Sequence, residues 1–423
     1  MNIKSILLGA AAAAAAASGA QAADLPAAPE PVDYVRVCDA YGSGFFYMPG
    51  TETCLKVGGR LRTEFRFRNF ADDAPRNRLG DQTVLNGTGF QTNDQNSTQL
   101  RARGYIRVDA RTQTEYGLLR TYVSLHNQVE TGTSGTTPTL EYGFVQFGGL
   151  TAGRAISMFE FFTGYTFAIP QSWGGTDIFT TNLFAYTQSF GNGFSATISV
   201  EDGLQNRGNI AVATNTALQY TTTGAGRIGD SYGGHRLPDF VANLRVDQGW
   251  GSAQLMGVLH QVWNDEASSA AFGTESELGW GIAGGVLINT PFIAPGDQIA
   301  FQVGYGEGAS GYIVSGVPNL TDGVIDASGD IELTEAFSIG GGFTHNWTSH
   351  WSTNFNVNYT DIDVSEGNNL DLETTSVQGN LVWSPASGFL IGAELNYTYR
   401  DWGGNAIEDS DQLTAAIRVQ RTF

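Results

Sequence analysis

The chain has 423 residues, with 42 acidic and 22 basic side chains for a formal net charge of −20, and 12% of its residues are aromatic. Beyond an N-terminal leader, no run of 18 apolar residues occurs, which excludes a helical membrane span. The 55 glycines, the 15% charged residues and the lack of any long helical periodicity point to an all-β chain, with no Pro-rich or Ser-rich linker to divide it.

Residues 1–22, "MNIKSILLGAAAAAAAASGAQA", read as a secretory signal peptide. Lys4 supplies the basic region, Ile6 to Ala17 the apolar region, and Ala20-Gln21-Ala22 the small-residue cleavage site, so the mature chain is expected to start at Ala23. Segment 23–52 then precedes the first strand. Cys38 and Cys54 are the chain's two cysteines, and in an exported protein they are expected to form a disulfide. Closing a loop of that size contributes about 3 kcal/mol in the chain-entropy model.

From residue 53 to 423 the pattern is strand after strand. In "LKVGGRLRTEFRFR", Leu55, Val57, Leu61, Phe65 and Phe67 hold odd positions, while Lys56, Arg60, Arg62, Arg66 and Arg68 hold even ones. Such alternation marks a strand with one apolar and one wet face. The next strand sets Leu100, Ala102, Ile106 and Val108 against Arg101, Arg103, Arg107, Asp109 and Arg111. Sixteen strands are predicted, at 53–70, 98–112, 116–128, 138–148, 150–155, 182–190, 193–201, 238–247, 251–263, 277–289, 297–305, 333–346, 351–362, 373–384, 388–400 and 411–423. The strand at 150–155 is short, and the inward face of 138–148 is ambiguous.

Short connections such as "GN" at Gly191–Asn192 alternate with long polar, acidic ones such as 71–97, 202–237 and 306–332. Turns at one end and loops at the other describe an up-and-down 16-stranded antiparallel transmembrane β-barrel, with both termini at the turn end. Phe190, Phe194, Trp250, Phe292, Trp347, Trp351, Trp383, Phe389 and Phe423 cluster at the short turns, as an interfacial aromatic girdle requires. The apolar faces then meet lipid and the polar faces enclose water, since sixteen strands leave an aqueous channel.

The stretch Tyr34 to Gly59, "YVRVCDAYGSGFFYMPGTETCLKVGG", resembles the N-terminal signature of the alphaproteobacterial outer-membrane porins of the rhizobial and brucella type. The leader, "GGL" at 148–150, "FTGY" at 162–165, "GNGFSA" at 191–196 and the terminal "RVQRTF" resemble that family too. The resemblance implies a trimeric general porin for small hydrophilic solutes and ions, in the outer membrane of a Gram-negative bacterium. It also implies an inward-folded constriction loop at 155–181, contact with lipid and lipopolysaccharide, and Phe423 as the signal read by the barrel assembly machinery. Loops vary within the family, so solute preference does not carry over.

Passive diffusion requires a hole, a constriction and a field rather than a catalyst. Residues 56 to 111 carry 11 basic and 6 acidic residues, whereas the rest of the mature chain carries 10 basic and 36 acidic. The expected pore-lining set is Lys56, Arg60, Arg62, Arg66, Arg68, Arg101, Arg103, Arg107 and Arg111, extended by Arg120 beside Tyr122, Ser124 and His126. Rows of guanidinium groups about 4.8 Å apart need opposing carboxylates and water to screen them. Glu160 and Asp177, the acids of the 155–181 loop, are expected to face Arg60, Arg62, Arg101, Arg103 and Arg107 across the pore.

Enzyme signatures are weak. The mature chain's sole lysine, Lys56, is followed by Val57, so no phosphate-binding loop exists. Gly306, Gly308 and Gly311 fit GxGxxG, but "YIVSGVPN" follows, and a flexible loop is expected there. The five histidines form no metal-binding pair. Ser124 and His126, two residues apart on one face, suit a wall better than a hydrolase. Asp361, Asp363, Glu366, Asp371 and Glu373 lack the glycine of a calcium loop and are expected to be a solvated acidic segment that divalent cations bridge to lipopolysaccharide. No cofactor, metal or nucleic-acid partner is expected. Two alternatives stand beside the general porin: a channel specific for an anion or sugar, marked by saturable conductance, and a barrel-anchored enzyme or adhesin, marked by a nucleophile–base–orienter set.

Overall fold

The structure, a computed structural model, describes residues 36–68, 98–132, 136, 138–167, 180–212, 232–264, 275–314, 320–326, 328–364, 371–403 and 409–423. The expected signal peptide, the loop 71–97 and Asp177 lie outside them.

Sixteen strands form one closed antiparallel barrel. They are Cys54–Arg68 (β1), Thr98–Thr114 (β2), Gly117–Glu130 (β3), Thr139–Phe147 (β4), Leu150–Ile156 (β5), Thr180–Gly191 (β6), Phe194–Glu201 (β7) and Asp239–Gln248 (β8), followed by Gly251–Asn264 (β9), Glu275–Asn289 (β10), Gln298–Glu307 (β11), Glu335–Asn346 (β12), Trp351–Asp363 (β13), Leu372–Ala386 (β14), Phe389–Trp402 (β15) and Ser410–Thr422 (β16). Each pairs with its neighbours in sequence, and β16 closes on β1 from Arg60↔Thr422 to Arg68↔Thr414. Every strand end lies within two residues of the one expected from alternation.

The outward positions are apolar and exposed, as at Leu61, Ile106, Phe184, Ile198, Leu244, Leu278 and Leu395. A soluble fold would bury these side chains; a barrel in lipid leaves them outside. Phe190, Trp250, Phe292, Trp347 and Phe423 are exposed at the short-turn end. The turn between β6 and β7 is tight because Asn192 and Gly193 both adopt positive φ, 50° and 79°, the requirement of a two-residue hairpin.

The ambiguity of β4 has a physical cause. Its pairing with β3 shifts register between Ser124 and Leu125. Leu140 is exposed on one side of this irregularity, and Val145 and Phe147 are exposed on the other, so the outward positions change from even to odd. Glu141 sits at the shift and is buried.

The long connections are not all outside loops, which corrects that expectation. Asn209–Val212 pairs in parallel with Thr321–Ile325, which pairs antiparallel with Ile331–Leu333. All five residues of Thr321–Ile325 are buried. The expected flexible loop at the GxGxxG match is also corrected: Ser310–Ile313 forms one turn of helix and is mostly buried. Gly311 allows this, because a Cβ there would lie 2.0 Å from the Asn206 carbonyl oxygen. Ile313, Val314 and Val324 pack against the interior face of β8–β10, β12 and β13 at Val241, Met256, Val258, Ala283, Ala336 and Ile362. One side of the barrel interior is therefore filled by an apolar core.

Buried carboxylates tie this insert to the wall. Asp322 accepts hydrogen bonds from Gly208 N at 2.6 Å, Ser310 N at 3.0 Å and the Tyr232 hydroxyl at 3.1 Å. Asp239 on β8 accepts from the Tyr312 hydroxyl at 2.7 Å and contacts His260 Nδ1 on β9 at 2.7 Å.

Candidate functional site

The barrel wall opposite that core carries the arginines, because strand alternation turns the even side chains of β1, the odd ones of β2 and the even ones of β3 inward. Glu64 is the hub of this wall. Its carboxylate lies 2.6 Å from Arg66 Nη2, 4.0 Å from Arg62 Nε and 2.5 Å from Arg418 Nη2, and it also pairs with Arg101. Arg66 reaches Glu130 at 3.3 Å, and Arg62 donates to Gln420 Oε1 at 3.2 Å.

A second group surrounds Tyr105, which is 3% exposed. Arg60 stacks over its ring at 4.0 Å and Arg107 at 5.2 Å, while Arg103 Nη1 donates to its hydroxyl at 3.1 Å and Nε to Gln128 at 2.7 Å. Glu141 lies 3.9 Å from Arg60 and 3.6 Å from Arg107, and it accepts from the Ser124 hydroxyl at 2.5 Å. A third group nearer the short turns places Asp109 between Arg111 at 2.8 Å and Arg120 at 2.9 Å. Rings under guanidinium planes and carboxylates between them keep the like charges from collapsing or repelling freely.

One expected member, Lys56, stands apart. Lys56 is exposed near the short-turn end, where Nζ donates to the Ser43 carbonyl at 3.1 Å and lies 5.6 Å from the Phe45 ring. That segment is pinned by the Cys38–Cys54 disulfide, with 6.0 Å between Cα atoms. Arg68 ends β1 opposite Thr414.

The loop after β5 runs around the wall strand by strand. Met158 N donates to Glu201 on β7, and Met158 O accepts from Asn243 on β8. Glu160 O accepts from Gln254 on β9. Phe161 lies against Gly285 on β10, and Phe162 against Gly342 on β12; a Cβ at Gly285 would fall 2.4 Å from the Phe161 ring. Phe162 N donates to Gln302 on β11, Tyr165 N to Asn356 on β13, the Thr166 hydroxyl to Gln378 on β14, and Phe167 N to Glu394 on β15. The path ends where Arg418 on β16 donates to Phe167 O at 3.1 Å and stacks on its ring at 4.1 Å.

This course corrects the expected role of Glu160. Among the described residues no ion pair joins it to Arg60, Arg62, Arg101, Arg103 or Arg107. The aromatic run needs wall surface to bury its rings, and following that surface leaves Glu160 near β9 with Glu201 as its charged neighbour. Burial and the Glu201 carboxylate raise the Glu160 carboxyl to about 7. The carboxylates that do meet the arginines are Glu64, Asp109, Glu130 and Glu141, all on the strands themselves.

Alternation in the sequence could have identified two members that it was not used to find. Arg418 falls between outward Ile417 and Val419, and Tyr105 falls on the arginine face of β2. Glu141 had no such signal, because the register shift breaks the alternation around it.

Comparison with known proteins agrees with this architecture. A family model described as a porin subfamily matches residues 23–420. Porin Omp2b of Brucella suis biovar 1 (strain 1330) is 32% identical over 439 residues, and Porin Omp2b of Brucella abortus (strain 2308) is 31% identical, each alignment spanning 100% of both chains. The outer membrane channel DcaP of Acinetobacter baumannii superposes with a TM-score of 0.63 at 15% identity, covering 89% of this chain and 99% of that one. OmpF of Salmonella typhi gives a TM-score of 0.54 at 12% identity, covering 88% and 98%. The closed sixteen-stranded barrel with lipid-facing apolar rows, together with a family match over nearly the whole chain, establishes that this chain belongs to the porin subfamily and is an outer-membrane porin channel of a Gram-negative bacterium.

Proposed function

We propose that the channel is a general one: a passive, water-filled path for small hydrophilic solutes and ions, working as a homotrimer. In this reading Arg60, Arg62, Arg66, Arg101, Arg103 and Arg107 line the narrowest level and give it a positive local field, opposite the loop that follows β5. The carrying observation is the hub at Glu64, where one carboxylate meets four guanidinium groups and leaves an excess of positive charge inside an acidic protein. A low-dielectric wall focuses that field, whereas charges exposed outside are screened within about 8–10 Å at physiological salt.

Partners follow from the surfaces. The apolar outer rows suit lipid. Glu307, Glu335 and Asp363 stand directly opposite one another on β11–β13, as do Asp361, Glu373 and Asp401 on β13–β15. Like charges so placed repel, which favours divalent cations shared with lipopolysaccharide. Phe423, at the end of the closing strand, is the residue for the barrel assembly machinery to read.

Planar-bilayer recording tests the reading. Replacing Arg60, Arg62 and Arg103 together with Ser should raise single-channel conductance and shift the reversal potential in a KCl gradient toward cation preference. The shift should be largest at low salt. Unchanged conductance and reversal potential at low salt would remove these arginines from the permeation path. Saturation by one solute would favour the substrate-specific alternative.

A further inference from the structure

The interior wall supplies a protein partner to nearly all of its deeply buried guanidinium groups. Arg62, Arg66, Arg101, Arg103 and Arg418 are each held by a carboxylate, a carboxamide or a phenol. Arg400 on β15 is as buried, at 6% exposure, yet among the described residues its guanidinium has no hydrogen bond or ion pair. Its nitrogens are not among the fully buried unpartnered polar atoms of the described residues, so the guanidinium head keeps contact with the lumen, where a charge at such depth without a protein partner is open to a counter-ion.

The groups around Arg400 also lack partners. Its register partner on β14 is Thr374, and Thr374 in turn stands opposite Thr360 on β13. Directly opposed side chains on neighbouring strands start about 5 Å apart. Thr360 Oγ1 and Thr374 Oγ1 are both buried without a partner. So is Trp402 Nε1, two residues along β15 on the same face, and Gln412 Oε1 on β16, opposite Thr398 one inward position below. This row of guanidinium, two hydroxyls and an indole N–H is rich in donors, and the carboxylate that touches it, Asp409, does so at the backbone, accepting from Trp402 N at 3.1 Å. It lies six residues from Glu394 toward the long-loop end of β15, about 20 Å at the usual strand rise.

We propose that Arg400, with Thr360, Thr374 and Trp402, forms an oxyanion subsite at the long-loop end of the interior, for the phosphate or carboxylate group of a passing solute. It rests on the channel reading and adds to it: an anion is first held here, then handed toward the Glu64–Arg418 cluster deeper in the wall. The guanidinium offers paired N–H donors that match two oxygens of such a group, and the hydroxyls and indole N–H complete the shell. The chloride ion lacks that bidentate geometry, so the subsite should separate oxyanions from halides.

Two readouts on the folded trimer test this, with inorganic phosphate as the probe. In bilayers bathed in KCl, phosphate added on the long-loop side should reduce the chloride current of the wild-type channel. Arg400→Gln should raise the half-blocking phosphate concentration at least tenfold, and the Thr360→Val, Thr374→Val pair about threefold. In heat-denaturation gels, phosphate should raise the midpoint of the wild type and leave that of Arg400→Gln unmoved, because binding to the folded state alone stabilises it. A wild-type channel that conducts KCl but ignores phosphate in both assays overturns the subsite. Equal block in wild type and Arg400→Gln also overturns it. If Arg400→Gln does not fold, Arg400→Lys keeps the charge but loses the paired donors and should weaken block severalfold; unaltered block would again overturn the assignment. Failure of the wild type to conduct KCl at all would strike the channel reading instead.

Discussion

Glu64 is surrounded by guanidinium groups from three different strands, so it behaves unlike a surface ion pair. Removing one member of a buried charge network typically costs about 3–5 kcal/mol, because the remaining charges stay buried. Glu64→Gln should lower the heat-denaturation midpoint of the folded barrel and move the reversal potential toward anions. An unchanged midpoint would mean that water, not Glu64, screens Arg62, Arg66, Arg101 and Arg418. Glu160 predicts a pH effect of a different kind. Its carboxyl, raised from the ordinary 4.5 to about 7 by burial and by Glu201, is mostly neutral at pH 6 and mostly charged at pH 8. The sign follows from linkage: the folded loop favours the protonated form, so this contribution to stability is complete below about pH 4.5 and lost as pH rises through about 7. The new negative charge near β9 should also shift ion preference toward cations between pH 6 and pH 8. Glu160→Gln should flatten that pH dependence, and a wild-type reversal potential that is flat over this range would refute the raised value. Parity along β1 and β2 made the arginine rows legible in sequence. The pose of Glu160 was not legible, because it is set by where Phe161, Phe162 and Phe167 find surface, and those partners are Gly285, Gly342 and Arg418 on distant strands.

Strands were the most legible elements, since a lipid-facing row must be apolar at every second residue and a short turn must follow. The inserted sheet was illegible for the converse reason. Asn209–Val212 and Thr321–Ile325 are brief and are separated by more than a hundred residues. Asp322 is the clearest case: it reads as a solvated loop acid, yet it is fully buried and joins Gly208, Ser310 and Tyr232. Asp322→Ala strips those donors of their acceptor, at about 1–3 kcal/mol for each buried group left unsatisfied. The insert should then loosen from β8 and β9 while the barrel persists. Limited proteolysis should cut the variant within 306–334, and its single-channel current should become noisier. Resistance to protease equal to wild type would place the anchoring elsewhere, in the apolar contacts of Ile313, Val314 and Val324.

For the whole molecule, the decisive event is closure, because an open sheet leaves unpaired N–H and C=O groups in lipid at several kcal/mol each. The seam between β1 and β16 is where closure is completed, and Phe423 lies at its end. Gly59 N donates to Phe423 O at 2.9 Å, and Phe423 N donates to Gly59 O at 3.0 Å. The phenyl ring covers Gly59 so closely that a Cβ there would fall 2.7 Å from the ring and 2.6 Å from the Tyr105 carbonyl oxygen. Two substitutions separate ring from backbone. Phe423→Ser keeps the hydrogen bonds and loses the ring, which is 74% exposed toward the outer face. Gly59→Val keeps the ring but forces it and the β1–β2 ladder apart. If the ring guides the last strand into register, Phe423→Ser should lower the yield of heat-resistant folded protein several-fold. Gly59→Val should lower it further, since it strains both ladders at once. Neither position belongs to the arginine wall, so the molecules that do close should conduct as the wild type does. A normal yield for Phe423→Ser would leave the ring as a girdle residue only. An altered conductance in either variant would show that the seam shapes the interior as well as sealing it.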